Sequence, residues 1–66
     1  MMKLVPKHDI FDEMNPRVKM FTKNEPYYVE GVAKADGTEA YMVSDNQRIR
    51  NYISVGGEFI QNFNIG

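Results

Sequence analysis

From Thr22 onward the chain is interrupted by turn signals: the Thr22–Pro26 cluster, Asp36-Gly37, Asp45-Asn46-Gln47 and Gly56-Gly57. They recur about every ten residues, the spacing of a small barrel or sandwich of short strands. The segments between them, YYVEGVAKA, TEAYMVS, RIRNYISV and EFIQNFNI, are rich in aromatic and β-branched residues, which fit a pleated, half-buried surface. Asp36-Gly37 is a hairpin signal with positive φ expected at Gly37. Gly31 interrupts its strand and signals a bulge or a close backbone approach. Gly56-Gly57 reads as a further hairpin turn. Phe59, Phe63 and Ile65 lie at even separations and can share one strand face.

The first third is less regular. MMKLVP reads as a short strand stopped by Pro6, which has no N–H to give to a ladder. In KHDIFDEMNP, the spacing of Ile10, Phe11 and Met14 suits a short helix or structured loop over residues 8–14, ended before Pro16. The expected fold is all-β: a four-to-five-stranded antiparallel meander or small barrel carrying that N-terminal element. An open sheet packed on an early helix is the alternative. The expected core is Leu4, Val18, Phe21, Val29, Val43, Ile49, Ile53, Phe59 and Phe63.

The 66 residues make a single domain, 1–66, and hold no cysteine, so neither a disulfide nor a cysteine zinc site stabilises it. A chain this short buries only about 60% of its unfolded surface. Stability must come from one well-packed core or from self-association, and a homodimer is compatible with the sequence. The apolar fraction of 42% suffices for one small core. The five methionines suit an irregular core. His8 and Asp9 follow the first apolar run before an export signal could form, and no stretch has membrane-spanning length. A cytoplasmic protein is expected.

The net charge of −1 gives no general attraction for polyanions. The charge is uneven: in residues 25–47 Lys34 stands alone against Glu25, Glu30, Asp36, Glu39 and Asp45. Chemistry-bearing clusters are few. His8, Asp9, Asp12 and Glu13 would share helical faces and could seat a divalent ion, but a solvated acidic face accounts for them better. With one histidine and no cysteine, and with Ser44 and Ser54 in no nucleophile-elbow context, catalysis is not expected. No metal or other cofactor is expected either.

The more informative residues are the tyrosines and the stretch NQRIRNYISVGG, residues 46 to 57. On a strand, Arg48, Arg50 and Tyr52 share one face while Ile49 and Ile53 take the other. Tyr27 and Tyr28 are adjacent, so one faces in and one out; Tyr41 and Tyr52 fall on successive strands. Arg and Tyr are enriched at binding hot spots. The expected partner-binding set is therefore Arg48, Arg50, Tyr52, Tyr41 and Tyr28. Pairing of the arginines with Glu39 and Asp45 is the plainer explanation.

The series Lys19 to Phe21, Thr22-Lys23-Asn24-Glu25, Tyr27 to Val29, a hairpin, YMVSDN and GGEFIQNF resembles a group of small Src-homology-3-like barrel proteins of Gram-positive phages and prophages, over about residues 17–63. The chain departs from their pattern at Asn24-Glu25-Pro26, where Gly-Lys is usual, and in having no Gly after Asp45-Asn46. The resemblance implies a barrel and a phage or mobile-element context rather than a chemistry. The expected function is a non-enzymatic module that binds a host or phage protein. The alternative is a small nucleic-acid-binding barrel using Arg48, Arg50 and Tyr52.

Overall fold

The computed structural model describes all 66 residues. In chain order the elements are β1 (Lys3–Pro6), β2 (Ile10–Phe11), β3 (Lys19–Phe21), β4 (Tyr27–Tyr28), β5 (Gly31–Ala35), β6 (Thr38–Ser44), β7 (Arg50–Ser54), a 3-10 helix (Phe59–Asn62) and β8 (Phe63–Ile65). They form three small antiparallel sheets: β4-β1-β8, the β2-β3 pair, and β5-β6-β7. The sheets do not close into a barrel. No helix is long and apolar enough to cross a membrane.

Turn chemistry sets the registers. Asp36 and Gly37 both have positive φ, 51° and 78°, between the paired residues Ala35 and Thr38. This is the two-residue hairpin expected from Asp-Gly, with a twist that matches its strands. At Gly31 the sheet carries a bulge: Glu30 N–H donates to Met42 O, while Gly31 itself pairs with Met42. A Cβ on Gly31 would collide with the end of the Met42 side chain. The hydrogen bonds fit the bulge reading; the atom that comes close to Gly31 is the flexible end of a side chain rather than backbone.

The bulge lets β4 and β5 act as one bent segment. β4 pairs with β1 and β5 with β6, with Val29 N–H donating to Met2 O at the corner. The core lies between the sheets and consists of Leu4, Ile10, Phe21, Val43, Ile53, Ile60 and Phe63. Phe21 is fully buried, edge-on to Tyr27 at 4.9 Å and to Phe63 at 5.3 Å, a geometry that aromatic quadrupoles favour.

Five expectations are corrected. Of the short helix or structured loop expected near residues 8–14, the helix does not form. Asp12 accepts a hydrogen bond from Met14 N–H, and such local side-chain bonds compete with helix. Ile10 is buried on β2, while Phe11 and Met14 are exposed, so the helix-on-sheet alternative fails with it. The Gly56-Gly57 turn does not return a strand: it leads into the 3-10 helix, and β8 then pairs with β1 instead of β7. The helical turn buries Ile60 and leaves Phe59 41% exposed; Ile65 is also exposed. Ile49 is 62% exposed, because strand geometry starts only at Arg50. Leu4, Phe21, Val43, Ile53 and Phe63 are buried as expected, and Val18 and Val29 partly so. Ile10 and Ile60 join the core unforeseen.

Candidate functional site

Antiparallel pairing sorts the β5-β6-β7 sheet into two faces. Gly31, Met42 and Tyr52 form one cross-strand row and Ala33, Ala40 and Ser54 the next; Ser44 and Arg50 begin a third. All lie on the face away from buried Val43 and Ile53. Tyr52 stands 61% exposed beside Met42, whose side chain lies over Gly31. The rest of the face is small: Ala33, Ala40 and Ser54 present nothing larger than a hydroxymethyl group.

Charge on this face is neutralised locally. Arg50 Nη2 lies 3.5 Å from Glu30 Oε1, and Ser44 Oγ donates to the other oxygen of the same carboxylate. The partner of Arg50 is thus Glu30, which the bulge swings toward β6, and neither Glu39 nor Asp45. Both members of the pair are partly solvated, so it contributes little stability.

Arg48 does not share this face. It has φ 63° in the turn that joins β6 to β7, which breaks strand alternation two residues before Arg50. Asp45 builds that turn. Its Oδ1 accepts hydrogen bonds from Gln47 N–H at 2.9 Å and Ile49 N–H at 3.0 Å, and its Oδ2 accepts one from Asn51 Nδ2. Asp45 is therefore buried yet satisfied. The Asp-Asn-Gln turn signal was readable; the burial was not, because an aspartate on a meander looks the same whether it faces water or its own backbone.

Of the tyrosines, Tyr28 is exposed at 51% and lies two residues before Glu30 on the bent strand. Tyr41 is half-buried and packs against the core. Tyr27 faces in, as adjacency to Tyr28 requires. Its hydroxyl accepts from Thr22 N–H and donates to Asn46 Oδ1, both at 2.7 Å. Asn46 also donates to Lys19 O and Thr22 Oγ1, so this network fastens the β6–β7 turn to β3. Arg50, Tyr52 and Tyr28 are thus outward-facing candidates, whereas Arg48 stands at the turn and Tyr41 supports the core.

The His8, Asp9, Asp12 and Glu13 cluster is dispersed. The two ring nitrogens of His8 face acceptors, Nδ1 at 3.0 Å from Asp9 O and Nε2 at 2.9 Å from Asn62 Oδ1, and a neutral ring donates to one of them at a time. Asp9 accepts from Lys23 N–H at 2.8 Å and pairs with Lys19 at 3.4 Å. The hydrogen bond from the Lys23 backbone holds its carboxyl below the usual aspartate range, with help from Lys19. No three such groups converge as metal ligands would. An open cleft lies between the Asp36-Gly37 and Gly56-Gly57 turns, lined by Thr38, Glu39, Ser54, Val55 and glycine backbone. Glu39 is its only ionisable side chain.

No family model, curated protein or solved structure matches the chain.

Proposed function

We propose that this chain is a non-enzymatic protein-interaction module, a partly open barrel of the Src-homology-3-like kind, that binds a host or phage protein through the outer face of the β5-β6-β7 sheet. The barrel reading is supported by the bent β4–β5 segment shared between two sheets and by the pairing of the last strand with the first. The phage or mobile-element setting is supported by the resemblance over residues 17–63 alone.

One observation carries the interaction reading: Tyr52, 61% exposed, stands beside Met42 on a face of small residues whose single cation is already paired. An exposed aromatic on a flat, locally neutral surface suits a protein partner, which gains by burying it. A nucleic acid partner would need Arg50 free for phosphate, and would approach the acidic 25–47 stretch against its charge.

The test is capture from bacterial lysate with the immobilised wild type, Tyr52→Ala, and the Arg48→Ala, Arg50→Ala double variant. The expected result is a stoichiometric protein, retained after nuclease treatment, lost with Tyr52→Ala and weakened with the double variant, while all three melt alike. Salt-sensitive recovery of DNA or RNA that the arginine variant abolishes would overturn the reading in favour of nucleic acid.

A further inference from the structure

We infer that β5 is the contact edge for a second copy of this chain, the two β5 strands pairing antiparallel about a two-fold axis at Ala33. β5 has a strand neighbour, β6, on one side only. Ala35 and Thr38 flank a two-residue turn and so form a hydrogen-bonded pair; by alternation Ala33 and Gly31 also turn their backbone groups toward β6. The phase is fixed independently. Val55 N–H donates to Glu39 O at 2.9 Å, so the Glu39 backbone points to β7 and that of its opposite number, Lys34, points away from β6. Val32 and Lys34 therefore present their N–H and C=O groups along the open edge. No hydrogen bond from a turn, loop or side chain reaches them. Such an edge is a template for another strand.

The edge is complementary to itself. A two-fold axis at Ala33 sets Val32 opposite Lys34 of the second copy, twice, and Ala33 opposite Ala33. Every open N–H and C=O of Val32 and Lys34 then finds a partner. The lysines do not face each other. Each lays its alkyl stem along Val32, now 48% exposed, and keeps its ammonium in water beside Glu39 of its own chain. On the other face Gly31, Ala33 and Ala35 meet, so nothing larger than a methyl obstructs the approach. A foreign acidic strand would instead meet Glu39 and Asp36. One strand edge buries well under the roughly 800 Å² per partner of a stable complex, so this dimer is a weak, concentration-dependent one.

The experiment is sedimentation of the full chain over a concentration series. It is paired with isotope-filtered NMR on a mixture of carbon-13-labelled and unlabelled protein. The expected result is a weight-average mass that rises with concentration, a contact between the Ala33 Hα protons of the two copies, and slowed amide exchange at Val32 and Lys34. Lys34→Pro removes only the N–H that faces solvent, which an edge strand tolerates; it should melt near wild type and stay monomeric. Lys34→Ala keeps that N–H and should still dimerise. Absence of the Ala33 contact at the highest soluble concentration would sink the inference, and so would a Lys34→Pro variant that folds and dimerises like wild type. Should Lys34→Pro not fold, the Ala33 contact decides alone.

Discussion

Three residues other than glycine hold positive φ: Asn24, Asp36 and Arg48. Asn and Asp enter that region readily because their short polar side chains bond locally. Arginine has no such compensation, so Arg48 carries the strain of the β6–β7 turn. The turn needs it there: Arg48 N–H closes onto Asp45 O and Asp45 N–H onto Ile49 O, the geometry of a three-residue loop ending in a left-handed residue. Glycine is the usual occupant of this position. Arg48→Gly should therefore raise stability by up to about 1 kcal/mol, part of the relieved strain being offset by the freer unfolded chain. Urea unfolding would show it as a higher midpoint at unchanged slope. A lowered midpoint would mean that the arginine side chain makes a contact outweighing the strain.

Among the elements, the β5–β6 hairpin follows most directly from local chemistry. Gly37, at φ 78°, has open space where a Cβ would go, so a substitution there acts through the backbone rather than through a clash. Gly37→Val should cost more than roughly 1 kcal/mol, since a β-branched residue is least at home at positive φ. A thermal melt superimposable on wild type would contradict the turn assignment. Period and turn signals likewise placed β6, the bulge at Gly31 and the inward Ile53, because each depends on neighbours in sequence. What stayed hidden depends on distant neighbours. Phe59, Phe63 and Ile65 have strand spacing, yet a helical turn intervenes and rotates Ile60 inward in place of Phe59. The shared outer face of Arg50 and Tyr52 was legible from their even separation. The ion pair of Arg50 with Glu30 was not, because it needs the bulge, whose effect on side-chain direction no linear pattern states. Arg48 was misplaced for a related reason: a strand pattern run backwards through a turn keeps alternating on paper after the backbone has stopped.

At the scale of the molecule, one edge-to-face aromatic cluster joins β3 to the final helix–strand segment. Phe63 from the last strand meets Phe21 from β3 at 5.3 Å and Phe59 at 5.6 Å, and is 4% exposed. Its removal leaves a cavity where the small sheets meet. Phe63→Ala should cost on the order of 3 kcal/mol, a large share of what a domain of this size has. Circular dichroism would then show unfolding well below the wild-type midpoint; an unchanged midpoint would mean that Phe63 is not the joint between the sheets. The partnership of β8 with β1 has a bearing on time as well as on stability. Lys3 and Gly66 exchange both backbone hydrogen bonds, at 3.0 and 2.9 Å. Contacts between residues this far apart in sequence require a long loop closure, and folding rates fall as contacts become more distant in sequence. During synthesis the β5–β6 hairpin can assemble as soon as it clears the ribosome, whereas β1 gains its β8 neighbour only after residues 63–65 emerge.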